Sequence, residues 1–378
     1  MSFNTLRWES ISCDPRDTVF NEHLPQGGGV SHTIMDEHRF AVFGGLGSRR
    51  YNELFIFNTR ENEWFKASME NAPSRRCKAS LCCRKIETTT TTTTECSSSS
   101  SSSSSTASSS HSHSPSSTAS SRNTSATCSE ENHGHVVGKA WNYKLYVFGG
   151  WTSEGKTNDL YEYDVAKDEW KQLKPNNSFS PPARSAHYCC CVGKYMYLYG
   201  GIGNKKYGDM YRYHFDKNEW ECVNAMQGDV PLPRSSYGGL LVLEGGGGGT
   251  KSNTQFFVTC GLGCGRYNDT YLYEVQSKRW TCVKCSGDIP SKRGRHSCVL
   301  HEETGNVILY GGFTGTECSG ECFSFNLVTK EWKMLQQINP PPKRESACCV
   351  ILNNKLYMFG GWGGDAKFFN DMYVASFE

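Results

Sequence analysis

The chain has 378 residues, a formal net charge of +2 and 21% charged residues, a balance that gives no reason to expect nucleic acid or an anionic membrane as partner. No apolar run approaches the ~20 residues needed to cross a bilayer. The N-terminal MSFNTLRWESISC lacks the basic and apolar regions of a secretion signal, so the cytoplasm is the expected location, with the nucleus also open to it.

In chain order, Trp8 stands first, with no diglycine before it. Apolar runs ending in Gly-Gly then recur at Gly44-Gly45, Gly149-Gly150, Gly200-Gly201, Gly311-Gly312 and Gly360-Gly361, with a degenerate copy at Cys260-Gly261. Trp64, Trp170, Trp220, Trp280 and Trp332 each follow a second glycine by 19 or 20 residues. Successive diglycines lie 49 to 60 residues apart, except across the first interval. A period near 50 with four short strands per unit points to a propeller rather than a helical solenoid.

Within a unit, strand a is small and mixed (Ala186–Val192) and strand b is a continuous apolar run (Leu145–Phe148), as a strand covered on both faces requires. Strand c alternates (Leu160–Tyr163) and strand d carries the tryptophan. The unit at Gly360-Gly361 ends without such a tryptophan, so the strand around Trp8 is expected to complete the last blade and close the ring.

The order of apolar run, Gly-Gly, loop, Asn-Asp-x-Tyr-x-Tyr, turn and Trp resembles the kelch repeat over nearly all of the chain outside residues 88–131. The resemblance implies an all-β, six-bladed kelch β-propeller, four antiparallel strands per blade, as one domain over 1–378. It says little about ligand, because kelch propellers serve many roles.

Two stretches interrupt the repeat. Residues 88–131 are Thr/Ser-rich with almost no apolar content, a composition that cannot bury enough surface to fold. Residues 244–254 form a shorter Gly-rich insertion. Both are expected in a–b connections; the first is placed there by Arg76–Cys83 serving as strand a of blade 2, in competition with a register that starts at His135.

The 19 cysteines are an odd number, and many fall inside strands: Cys82-Cys83, Cys189-Cys190-Cys191, Cys298 and Cys348-Cys349. They read as small buried hydrophobes rather than disulfides. Cys282-Val-Lys-Cys285 has metal spacing but no second pair, so neither metal nor cofactor is expected.

Alternating strand directions put d–a and b–c connections on one face, opposite both insertions. On that face a Pro-x-x-Arg opens strand a at Arg76, Arg184, Arg234, Arg293 and Arg344, whereas blade 1 has Gly28 in the expected place. The loops after the diglycines add Arg49, Arg50, Tyr51, Trp151, Lys205, Lys206, Tyr207, Arg266, Tyr267 and Trp362. Arginine forks and exposed aromatic rings suit recognition of a protein or peptide, either an acidic segment or a C-terminal carboxylate. The five strand-a arginines fit a second role equally well, as partners of Asp159, Asp209, Asp269 and Asp371 or of neighbouring carbonyls. His187 and His296 recur as repeat elements and read as packing residues rather than catalysts.

The expected function is therefore a non-enzymatic interaction module, a monomer acting as scaffold or ubiquitin-ligase substrate receptor. Kelch relatives with enzymatic roles supply the alternative: a copper oxidase, a sugar mutarotase and iron-dependent specifier proteins. The specifier pattern of Glu, Asp and His at four-residue spacing is absent around His187, His214 and His296. Association with actin is a third reading that the sequence neither supports nor opposes.

Overall fold

Short apolar runs bounded by positive-φ glycines cannot extend as helices, and the described residues answer with strands. The computed structural model describes residues 3–11, 24, 27–86, 141–224, 226–236, 238–239, 241–243 and 254–378. In chain order, β1 (Thr5–Ile11) comes first. Blade 1 holds β2 (Ser31–Ile34), β3 (Arg39–Phe43), β4 (Leu54–Asn58) and β5 (Glu63–Lys66). Blade 2 holds β6 (Ser80–Lys85), β7 (Tyr143–Trp151), β8 (Lys156–Asp164) and β9 (Glu169–Leu173); blade 3 holds β10 (Tyr188–Val192), β11 (Tyr195–Tyr199), β12 (Met210–His214) and β13 (Glu219–Cys222). After β14 (Gln227–Gly228), blade 4 holds β15 (Leu241–Leu243), β16 (Gln255–Leu262), β17 (Arg266–Glu274) and β18 (Arg279–Cys282). After β19 (Ser286–Gly287), blade 5 holds β20 (Ser297–His301), β21 (Asn306–Tyr310), β22 (Cys322–Asn326) and β23 (Glu331–Met334). After β24 (Gln336–Ile338), blade 6 holds β25 (Cys348–Leu352), β26 (Lys355–Trp362) and β27 (Phe368–Phe377).

Each blade is one antiparallel sheet in the order a, b, c, d, and the six stand in a ring as a six-bladed kelch β-propeller. The fourth strand of blade 6 is β1, which runs antiparallel to β27 from Leu6↔Phe377 to Ile11↔Met372. Trp8 supplies the buried ring that the blade would otherwise lack; it is 1% exposed and its indole N–H donates to Gln337 Oε1 at 3.0 Å. Blades 4 to 6 carry a short addition beyond their four antiparallel strands. There β14, β19 and β24 each add a parallel strand outside strand d. These pieces are two or three residues long and carry no alternation, so no periodic signal marks them.

The tryptophans seal the interfaces between blades. Trp220 lies 5.0 Å from Phe148 of the preceding blade and 5.2 Å from Tyr213 of its own, and Trp280 relates likewise to Tyr199 and Tyr273. Such aromatic contacts add to the area each indole buries. Strand a of blade 2 is β6, paired with β7 from Ser80↔Phe148 to Lys85↔Tyr143, so the long stretch after β6 is the a–b connection of that blade. The Thr/Ser-rich stretch 88–131, the alternative start at His135 and residues 244–253 of the shorter insertion lie outside the described residues.

Candidate functional site

The diglycines tie each blade to the next. The second glycine has φ between 96° and 115° and its N–H donates to the carbonyl of the arginine opening strand a of the following blade: Gly45 to Arg76, Gly150 to Arg184, Gly201 to Arg234, Gly261 to Arg293 and Gly312 to Arg344, at 2.9–3.1 Å. Gly361 closes the circle onto Gly27. A Cβ on Gly150 would sit 3.0 Å from Ala79 Cβ, and the positive φ excludes most side chains in any case. The blade 1 counterpart of the arginines is thus Gly27, one residue before the expected Gly28; Gly28 instead bridges Leu46, as Cys77 bridges Trp151. Cys260, in place of the first glycine of blade 4, keeps the left-handed backbone at φ 56°.

All five strand-a arginines are 0% exposed. Arg184 shows the pattern: Nη1 donates to Gly200 O at 2.9 Å and to Asp209 Oδ1 at 2.6 Å, Nη2 to Asp209 Oδ2 at 3.1 Å and Nε to Pro182 O at 3.0 Å. Arg76, Arg234 and Arg344 repeat it with Asp159, Asp269 and Asp371. Arg293 uses Glu321, which replaces the aspartate in blade 5. Their guanidinium groups are held inside the blades, in the structural role weighed for them, and offer no fork to the surface.

Three aromatic candidates belong to the same assembly. Tyr207 and Tyr267 lie under Arg184 and Arg234 at 4.1 and 4.6 Å, and Tyr51 is buried under Arg49 at 4.8 Å. Blade 1 has no strand-a arginine, and its Glu53 pairs instead at 2.8 Å with Arg49 of the b–c loop, whose side chain is 42% exposed. The candidates left exposed or half-buried on this face are Arg49, Arg50, Trp151, Lys205, Lys206, Arg266 and Trp362.

On the same face two rings of residues surround the axis. Two residues past each arginine position stand Gly29, Lys78, Ala186, Ser236, Arg295 and Ser346, all with φ between 51° and 71°. Each N–H donates to the carbonyl of its counterpart in the preceding blade, at 2.6 to 3.4 Å, in a closed circle of six. Around it lie the residues after the diglycines: Leu46, Trp151, Ile202, Leu262, Phe313 and Trp362. Trp151 is 41% exposed and the others are half-buried. Cations lean from one blade onto the next: Arg50 lies 4.9 Å from the Trp151 ring, Arg266 lies 5.1 Å from Phe313, and Lys206 donates to Gly263 O.

Lys78 and Arg295 were missed by the sequence reading. Both occupy the inner ring and line the axial channel, which has a volume of about 390 Å³. Burial lowers the Lys78 pKa, and Arg295 adds to the effect. Arg295 pairs at 2.7 Å with Glu345, a 2% exposed carboxyl whose Oε2 has no hydrogen-bond partner among the described residues. Burial raises the Glu345 pKa against the pull of Arg295, Lys78 and Arg266. The signal that could have found these residues is positional: the second residue after each strand-a arginine faces the axis. His187 and His296 are buried, and burial beside an arginine lowers each pKa to about 3, so both are neutral. Among the described residues no three His, Cys, Asp or Glu side chains are placed to hold a metal ion. No helix is long and apolar enough to cross a membrane.

A family model described as the Attractin/LZTR1 beta-propeller matches residues 96–242 and 145–339, together more than half of the chain. Host cell factor of Drosophila melanogaster is 28% identical over 267 residues, 60% of this chain and 17% of that protein. Kelch domain-containing protein 10 of Xenopus tropicalis is 32% identical over 178 residues, 43% of this chain and 40% of the relative. Host cell factor 2 of Homo sapiens is 26% identical over 404 aligned residues, covering 97% of this chain and 42% of that protein. The matches thus span less than half the length of each of these relatives.

Proposed function

Because the chain belongs to the Attractin/LZTR1 β-propeller family, with kelch-type repeats, we propose that it is a non-enzymatic interaction module that binds an acidic protein or peptide segment at the axial mouth of the d–a/b–c face. The observation that carries this reading is the pair of cations lining the axial channel, Lys78 and Arg295, on a face whose loops add Arg50, Lys206 and Arg266 beside Trp151, Ile202, Leu262, Phe313 and Trp362. Two cations on the inner ring face one internal carboxylate, Glu345, which leaves positive charge for a ligand to neutralise. A concave, partly apolar floor strengthens such contacts by excluding water. The scaffold and ubiquitin-ligase receptor roles both use a surface of this kind, and the monomeric state and cytoplasmic or nuclear location remain part of the same proposal.

The test is selection of displayed random peptides on the full chain, followed by affinity measurement on an Arg50→Ala, Lys206→Ala, Arg266→Ala variant. Enrichment of Asp/Glu-rich peptides, a loss of at least about tenfold in the variant (~1.4 kcal/mol) and weakening with salt are expected. Enriched peptides without acidic residues, or equal binding by a variant that melts like the parent, would refute it.

A further inference from the structure

Strand a of every blade borders the axial channel, and the side chains there are rich in sulfur. Cys82 and Cys83 come from β6, Cys189, Cys190 and Cys191 from β10, and Cys298 and Cys349 from the strands of blades 5 and 6. Most of these thiols are separated by the pleat or by a blade interface. Across the interface of blades 2 and 3, however, Cys191 Sγ lies only 2.9 Å from Cys82 Sγ. Alternation in β10 turns Cys189 and Cys191 to the side that packs on Cys82, while Cys190 packs on the opposite side with Tyr197 and Phe256. The two sulfurs need to close by only about 1 Å to reach the ~2.05 Å of a disulfide.

We propose that Cys82 and Cys191 form an oxidation site, at which a small hydroperoxide entering the channel joins blades 2 and 3 through a disulfide. The half-buried Cys191 thiol attacks the peroxide oxygen, giving Cys191–SOH and releasing water from H2O2 or an alcohol from an alkyl hydroperoxide. The Cys82 thiol then attacks the Cys191 sulfur, the S–S bond forms, the S–OH bond breaks, and water leaves with the Cys82 proton. One peroxide is reduced by two electrons and two thiols are oxidised. Access and distance support this order. Cys191 is partly exposed to a channel of about 390 Å³, more than ten times the ~30 Å³ share of one water molecule, whereas Cys82 is 3% exposed. Burial holds the Cys82 thiol protonated, which makes it a slow first target. Once the sulfenic acid exists, Cys82 is held beside it at an effective concentration no external thiol reaches.

Cys189 is the competing partner. It shares the face of β10 and also lies within reach of Cys82, so Cys82–Cys189 is the rival pairing from which the fragment masses must distinguish Cys82–Cys191.

The experiment is graded H2O2 treatment of the full folded chain, alkylation of remaining thiols, tryptic digestion and fragmentation mass spectrometry. Ala79–Arg84 joined to Ser185–Lys194 is expected, with fragments placing the bond between Cys82 and Cys191. Dithiothreitol should return both thiols, and the same treatment in urea should scatter the pairing. In a Cys82→Ser chain, Cys191 should stop as a sulfenic acid that dimedone traps; if that chain does not fold, Cys191→Ser serves, in which the joined peptide should vanish. The proposal is overturned if Cys82 stays alkylatable after the exposed Cys222, Cys264 and Cys282 have oxidised. It is overturned equally if the bond falls on other cysteines of the two peptides.

Discussion

Replacing Arg184 by Met removes hydrogen bonds to Pro182 O, Gly200 O and both oxygens of Asp209, together with the ring contact to Tyr207. Two terms set the size of the loss. Breaking a fully buried ion pair costs about 3–5 kcal/mol because a charge is stranded. Here the stranded partner is Asp209, whose side chain is 29% exposed, so water recovers part of that penalty. The buried Gly200 carbonyl has no such recourse and loses about 1–3 kcal/mol. The expected net destabilisation is ~2–4 kcal/mol, with Lys at 184 recovering little because it has no planar fork. Urea denaturation measures it, and adding Asp209→Asn completes a cycle whose coupling energy should exceed about 1 kcal/mol. By contrast, Lys205→Ala on the same face should stay within about 0.5 kcal/mol of the parent. A loss below ~1 kcal/mol for Arg184→Met would show that the arginines do not hold the blades, and the ligand-facing role would have to be reconsidered.

Trp8→Ala should cost about 3–5 kcal/mol, since the indole is 1% exposed and lies 5.6 Å from Tyr310 in the core of blades 5 and 6. Because β1 closes the ring, deleting residues 3–11 should lower the melting temperature of the whole domain, and an unchanged melt would contradict the closure. Gly150→Ala should cost about 1–3 kcal/mol through its φ of 110°, readable in the same denaturation assay; a neutral substitution would mean that the diglycine turn is replaceable. His187 and His296 have folded pKa values near 3, below the ~6.5 of the unfolded chain, so below pH 6.5 the unfolded state binds protons that the folded state refuses. Stability should therefore fall as pH drops from about 6.5 towards 3, by up to ~1.4 kcal/mol per pH unit for each histidine, and a His187→Phe, His296→Phe chain should show a flatter profile.

His296 also shows how the same repeat position differs between blades. His187 Nε2 meets Ser80 Oγ at 2.9 Å, whereas His296 faces Gly238, which stands where blade 2 has that serine. A Cβ at Gly238 would lie 2.4 Å from both His296 Nε2 and Cys298 Sγ, so the larger sulfur on the adjoining strand leaves no room for the hydroxyl. Both ring nitrogens of His296 accordingly have no hydrogen-bond partner among the described residues.

Much of the architecture was written in one dimension. A diglycine can turn beneath a close neighbour, an apolar run must be covered on both faces, and a tryptophan must be buried. Repeated six times, these local demands name the blade, its strand order and even the remote partner of Trp8, because each depends on side-chain type and spacing alone. The site was less legible. Arg76, Arg184, Arg234, Arg293 and Arg344 resemble a surface row in sequence, and only the packed blade shows that Asp159, Asp209, Asp269, Glu321 and Asp371 consume their donors. Arg49 looks like another loop cation until the missing arginine of blade 1 leaves Glu53 for it to neutralise. Lys78, Arg295 and Glu345 carry no motif; they matter because the ring brings residues more than 200 positions apart to one axis. Sequence determines what each residue can bury or bond, and tertiary closure decides which of those capacities remain unspent at the surface.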